Sequence, residues 1–305
     1  MTRVAGKEDA VLPATRALSA FIVPFLVVAF VVLYGLPDDT DRWFAWTIKP
    51  PMTPMTLGAV YLGGAYFFVR AFRATAWHTV KAGFVAVGSF ASLMGVATIL
   101  HWDRFNHDHL AFWLWGGLYF TTPFLVWGVW AANRRLDSRP GPDDLLLPPA
   151  ARTIMAGTGA LATVAGAYLF LLPSQAIETW PWTITPLTSR VLGAIFMLGV
   201  AGLGVLTDAR WTAARLMLQV QVFMLSLILV AAVRAHDDFD GGILTWLLLG
   251  GFVAATASAA FCRADRVKVW GVRSNRTGRY LSFERNRPSP VATIRRWSEV
   301  MDRSP

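Results

Sequence analysis

LYGLPDDTDRWFAWTIKPPMTPMTLGAVYLGG, at residues 33–64, recurs about 136 residues later as LFLLPSQAIETWPWTITPLTSRVLGAIFMLGV, at residues 169–200. Both copies end an apolar run at Leu-Pro and cross a short polar stretch. Each then reads Trp-Thr-Ile-x-Pro, at 46–50 and 182–186, and starts a second apolar run at Leu-Gly-Ala. We interpret the two copies as an internal duplication of a membrane unit.

The composition places this chain in a lipid bilayer. Apolar residues make up 55% of it and charged residues only 15%, which is too apolar for an ordinary soluble domain. A membrane helix needs about 20 apolar residues. Runs of that kind occur at 17–36, 55–73, 80–100, 111–132, 153–173, 191–207, 213–233 and 243–262.

These runs predict an all-α integral membrane protein of about eight transmembrane helices, arranged as two parallel four-helix repeats. An even number of spans per repeat means that both copies enter the membrane in the same direction. The predicted organisation is an N-terminal tail (1–16), a first membrane repeat (17–132), a linker (133–152), a second repeat (153–262) and a basic C-terminal tail (263–305).

Basic residues predict the orientation, because Lys and Arg concentrate on the cytoplasmic side of membrane proteins. With the N-terminus inside, only five of the 28 Lys and Arg residues fall outside, against nine acidic residues there. Both termini are then cytoplasmic in a cell membrane. The net charge of +9 reflects this topology, and no nucleic-acid partner is expected. The basic tail is expected to contact anionic lipid or a partner protein.

Ionisable residues cluster beyond the third and seventh spans, which occupy matching places in the two repeats. Asp103-x-Phe105 aligns with Asp237-x-Phe239. The candidate cation-binding residues on this outer face are His101, Asp103, His107, Asp108, His109, His236, Asp237, Asp238 and Asp240. Together they predict an acidic, histidine-bearing mouth.

Two further interpretations of this cluster stay open. Imidazole is a good ligand for zinc, copper or iron, so His101, His107, His109 and His236 could hold a divalent metal or haem. His-x-His in a loop lacks the helical spacing that makes a metal motif specific. Alternatively Asp103 and Asp237 cap helices or pair with an arginine (Arg42, Arg104 or Arg234), while the histidines lie among interfacial tryptophans.

The repeated loop supplies a second set of candidates: Trp46, Pro50, Trp182 and Pro186. Its prolines exclude a transmembrane helix, and its tryptophans suit the aromatic belt at a membrane surface. We expect an interfacial segment; a loop re-entering the bundle is the alternative.

The spans carry no charge at mid-depth, which argues against a proton-coupled antiporter. Nucleotide-binding and hydrolase motifs are also missing. The sequence therefore favours a transporter-like or channel-like protein over an enzyme. The alternatives are a membrane-embedded metal- or haem-dependent oxidoreductase, and a non-catalytic scaffold or assembly factor.

Overall fold

The computed structural model describes residues 9–142 and 144–259, and these contain no β-strand. The chain is built from long helices joined by short segments. In chain order the long helices are α1 (Pro13–Gly35), α2 (Met52–Arg73), α3 (Lys81–Leu100), α4 (Leu110–Leu136), α5 (Pro149–Leu171), α6 (Pro186–Leu206), α7 (Trp211–Arg234) and α8 (Ile243–Ala259).

Within the described residues, α1 to α7 are long and apolar enough to cross a membrane. This confirms the prediction of a multi-span, all-helical architecture. The predicted eighth span is an apolar helix too, but α8 is shorter than the other seven. The rest of that span, with the C-terminal tail and the first eight residues of the N-terminal tail, lies outside the described residues.

The starts of several helices follow from proline and capping chemistry. Proline has no N–H to lose in the first turn, and α1, α5 and α6 each begin at a proline. In α6 the Thr185 hydroxyl also accepts a hydrogen bond from the Thr188 N–H (3.2 Å). The predicted start of this span at residue 191 is therefore wrong: the helix begins five residues earlier, and Arg190 lies inside it.

Helices from the first part of the chain contact helices from the second part along a surface that we call the seam. In the first half (α1–α4), α1 packs on α2 and α3 on α4; in the second (α5–α8), α5 packs on α6. Across the seam α2 packs against α7, and α3 against α6. A single buried cluster of apolar side chains draws on both halves, so neither half has a separate core there.

Glycines let α5 and α6 approach closely. A β-carbon at Gly166 would lie 2.7 Å from the carbonyl oxygen of Gly193, and one at Gly202 would lie 2.7 Å from the carbonyl oxygen of Met155. Small residues at helix contacts are typical of membrane proteins, where dispersion forces replace the hydrophobic effect.

The connecting segments lie at the two ends of the bundle. The loop face comprises residues 36–51, 101–109, 172–185 and 235–242. The opposite face comprises residues 9–12, 74–80, 137–142, 144–148 and 207–210.

Both faces contain pairs of similar features, one in each half. On the loop face, Asn106 N donates to Ala45 O (2.9 Å), and Asp240 N donates to Pro181 O (3.0 Å). Leu36 and Leu172, which end α1 and α5, have nearly the same backbone angles. On the opposite face, single antiparallel pairings join Ala10 to Ala76 and Leu146 to Arg210.

A buried ion network fixes the linker on the opposite face. Asp208 and Arg210 are each 3% exposed and pair at 2.6 Å, while Lys81 reaches Asp208 from α3 (2.9 Å). Arg210 also donates to the Ser138 carbonyl oxygen (3.0 Å), so the linker is held against the turn between α6 and α7. Burial opposes ionisation of Asp208, but hydrogen bonds from Arg210 and Lys81 outweigh it and hold its pKa well below the ordinary value.

His78 joins three segments on the same face. Its Nδ1 donates to the Asp9 carboxylate, and Asp9 Oδ1 also accepts from the His78 backbone N–H (2.9 Å). The Nε2 atom of His78 accepts a hydrogen bond from the hydroxyl of Thr212, which lies in the first turn of α7 (2.9 Å). The segment before α1 is thereby tied to the second half.

Replacing Gly166 should push helices α5 and α6 apart. We expect Gly166→Ala to lower the free energy of unfolding by about 1–3 kcal/mol, because its methyl group meets α6 backbone atoms that cannot move aside. The measurement is the melting midpoint of purified protein in detergent. Gly157→Ala, on the same helix with nothing within 4 Å, is the control and should leave the midpoint unchanged or higher. Equal losses would contradict this packing.

Replacing Asp208 should cost more than replacing Asp137, although both carboxylates pair with Lys81. Asp208→Asn leaves two cations around a buried amide, and we expect a loss of about 3 kcal/mol. Asp137 is 30% exposed, so Asp137→Asn should cost less than about 1 kcal/mol.

The pH dependence of this difference follows from the lowered pKa. A carboxyl group whose pKa is lower in the folded state than in the unfolded state stabilises the folded state at all pH values above the unfolded-state pKa. This stabilisation is lost as the pH falls through the folded-state pKa. The gap in melting midpoint between wild type and Asp208→Asn should thus be constant near neutrality and narrow only below about pH 4. A gap that is already closed at pH 6 would contradict the network.

Candidate functional site

The first-half loop, residues 101–109, holds most of the predicted histidines and exposes its acids. Asp103 is 77% exposed and pairs loosely with Arg104 (3.4 Å). Asp108 is also exposed, and only its backbone N–H bonds within the loop, to Asn106 Oδ1 (3.3 Å). His109 is half-buried at the N-cap of α4.

His107 points into an aromatic cluster. Its ring centroid lies 4.5 Å from that of Phe112 and 5.1 Å from that of Trp102. Its Nε2 is buried and has no hydrogen-bond partner among the described residues. This packing favours the interpretation in which the histidines lie among tryptophans.

His101 crosses the seam. It ends α3, and its Nε2 accepts a hydrogen bond from Nη1 of Arg190, in the second turn of α6 (2.6 Å). Because a guanidinium only donates, Nε2 carries no proton and the imidazole is neutral. Burial lowers the pKa of His101, and the positive charge of Arg190 acts in the same direction.

In the second-half loop, residues 235–242, Asp237 and Asp240 pair with residues close to them in the sequence. His236 and Asp237 pair at 3.2 Å and are 74% and 91% exposed. Asp240 accepts from the Thr245 hydroxyl (2.6 Å) and from the Gly242 N–H (2.9 Å), which ties down the approach to α8. Both hydrogen bonds lower the pKa of Asp240, and the bond from Thr245 has the larger effect.

Asp238 makes a contact between the two halves. Its Oδ2 accepts from the backbone N–H of Met52 (2.7 Å), the first residue of α2. A carboxylate at that position satisfies an N–H that has no partner within its own helix and lies at the positive end of the helix dipole. A second-half loop therefore completes a first-half helix.

The repeated tryptophans are buried. Trp46 and Trp182 are each 4% exposed and belong to the shared core, so the expectation that they lie in an interfacial belt is wrong for both. The reason is aromatic packing: Trp46 meets the Phe105 ring (centroids 5.1 Å apart), and Trp182 meets the Phe239 ring (5.3 Å). Trp43, in the first of these loops, is 50% exposed.

Hydrogen bonding distinguishes the two tryptophans. Trp182 Nε1 donates across the seam to the buried Thr53 hydroxyl (2.9 Å). Trp46 Nε1 has no partner among the described residues. The prolines that end the two loops differ as well: the Lys49–Pro50 bond is cis, and Pro186 is the first residue of α6.

The predicted residues thus share one face without forming one cage. Among residues 9–142 and 144–259, no group of three or more His, Cys, Asp or Glu side chains is placed to hold a metal ion. His101, His107 and His236 point to an arginine, an aromatic cluster and a neighbouring acid respectively. The loop face therefore carries several exposed carboxylates, and hydrogen bonds between the two halves lie at the seam beneath them.

Sequence reasoning missed the partners at the seam. The predicted sixth span, 191–207, leaves Arg190 in the loop before it, although Thr185-Pro186 carries a helix-start signal that includes it. Thr53 and His78 carry no local signal for their roles, because their partners Trp182 and Thr212 are more than 100 residues away.

Matched substitutions can isolate the cross-seam hydrogen bond. Trp182→Phe and Trp46→Phe remove similar apolar area from equally buried sites, but only the first removes a hydrogen bond. We expect Trp182→Phe to lower the free energy of unfolding by about 1 kcal/mol more than Trp46→Phe. Melting midpoints in detergent provide the comparison. A larger loss for Trp46→Phe would contradict the assignment.

Comparison with known proteins gives no relative from which a role could be inferred. No protein-family model, no curated protein and no solved structure matches this chain. A function must therefore be argued from the residues and contacts of the chain itself.

Proposed function

We propose that this chain is a duplicated, multi-span membrane protein of the transporter or channel type, with an acidic mouth on the loop face that attracts cations. The loop face is extracytoplasmic, and both termini are cytoplasmic. The seven long apolar helices support the membrane assignment. The paired features of the two halves, from backbone pairings to aromatic contacts, support the duplication.

One observation carries the proposal: the loops bearing the predicted acids reach the helices of the other half. From the 235–242 loop, Asp238 accepts from Met52 N on α2, and from the 101–109 loop, His101 accepts from Arg190 on α6. The acidic loops therefore lie over the seam rather than at the outer edge of each half. Substrate sites of duplicated transporters commonly lie where the repeats meet.

The charge of this face supports a cation rather than an anion in the mouth. The loop face and adjoining helix ends carry nine acids and five Lys or Arg residues. Asp103, Asp108 and Asp237 are exposed, so they raise the local cation concentration through long-range attraction rather than by forming a coordination shell. Such attraction weakens as salt rises, since the screening length is about 8 Å at physiological ionic strength.

The test uses purified protein in liposomes on a solid-supported membrane, with concentration jumps of Na⁺, K⁺ and Ca²⁺ in turn. We expect a saturable, cation-dependent current. The triple variant Asp103→Asn, Asp108→Asn, Asp237→Asn should reduce it severalfold at low salt and less at high salt.

The matched control removes three charges from the same face, away from the 101–109 and 235–242 loops: Asp38→Asn, Asp39→Asn, Asp41→Asn. All three are exposed. Its current should stay closer to wild type. No current with any of the three cations, or equal losses in the two triple variants, would overturn the proposal.

A further inference from the structure

Arg190 is a half-buried cation without an acidic partner. It lies in the second turn of α6, inside a segment with the length and composition of a membrane span. Among the described residues, no carboxylate lies within salt-bridge distance of its guanidinium. A charge placed in a membrane helix is costly and normally finds a counter-charge, which makes such residues candidates for function.

The partner that Arg190 does have cannot neutralise it. Its Nη1 donates to Nε2 of His101, and an imidazole that accepts this bond is neutral. His101 also caps the C-terminus of α3, whose dipole contributes about half a negative charge. Because a guanidinium has five N–H donors, most of them remain for another acceptor.

The two halves differ at both positions of this pair. In the alignment that matches Leu57 with Leu192, position 190 corresponds to Met55, and in the one that matches Asp103 with Asp237, position 101 corresponds to Ala235. Met55 and Ala235 are both buried apolar residues. A packing role shared by the halves therefore does not require the arginine and the histidine.

We propose that Arg190 and His101 form an oxyanion site that binds a phosphate group at the loop-face end of the contact between α3 and α6. The planar guanidinium matches phosphate geometry and donates two parallel hydrogen bonds. With its Nε2 accepting from Arg190, His101 orients the guanidinium, whose remaining N–H groups supply the donors. The phosphate comes from a lipid headgroup or from a soluble molecule. This site is independent of cation flux through the mouth.

The experiment has two arms, both run on purified full-length protein. In the first, inorganic phosphate is titrated against chloride at constant ionic strength, and the melting midpoint of delipidated protein reports binding. In the second, protein in nanodiscs containing phosphatidylglycerol is released into a mass spectrometer under native conditions, and the retained phospholipids are counted. The variants are Arg190→Gln, Arg190→Lys and the control Arg104→Gln, whose arginine is exposed on the same face.

Wild type and Arg104→Gln should respond alike. Arg190→Gln should weaken phosphate binding about tenfold or more, because a charge-assisted hydrogen bond is lost. Arg190→Lys keeps the charge and covers the case in which the glutamine variant fails to fold; it should weaken binding less. A response in the first arm alone identifies a soluble phosphate, and loss of retained lipid in the second alone identifies a headgroup. If the Arg190 variants match Arg104→Gln in both arms, the site does not exist.

Discussion

The fold depends on a single constraint: polar groups at the helix ends of one half have to find partners in the other half. In a bilayer an unsatisfied backbone N–H costs several kcal/mol, because no water is available to replace the missing bond. The first N–H of α2 is satisfied by Asp238, and Arg234 donates to the Tyr34 carbonyl oxygen at the end of α1 (3.0 Å). Each half would expose such groups if it folded alone, and the shared core cluster would lose one of its sides.

The two halves contain similar contacts but differ in the residues and hydrogen bonds that form them. Each carries a buried loop tryptophan against a phenylalanine from the next loop, yet only Trp182 has a hydrogen-bond partner. A charged arginine and a neutral histidine at the contact between α3 and α6 occupy positions where the other half has apolar residues. The duplication that we propose would explain why the contacts recur, and a binding site formed by only one half would account for the difference at the seam.

Much of the architecture could be predicted from sequence because hydropathy reports burial in lipid directly. The apolar runs locate all eight helices to within a few residues, and the wrong start of α6 came from ignoring Thr185-Pro186. The site was less predictable. Residue type suggests metal ligands, whereas His107 packs on nearby aromatic rings and His101 accepts from Arg190. The second of these partners could not be chosen without knowing how α3 and α6 pack. Contacts between residues about 90 or more apart leave no periodic trace in the sequence.

The proposed acidic mouth requires that the loop face lie on the extracytoplasmic side of the membrane. The direct measurement is labelling of Asp108→Cys, in a background where Cys262 is replaced by serine, with a membrane-impermeant maleimide on intact cells. Asp108 is exposed on the loop face, and we expect full labelling before lysis. Labelling that occurs only after the cells are opened would place the acidic mouth in the cytoplasm and contradict the proposed topology.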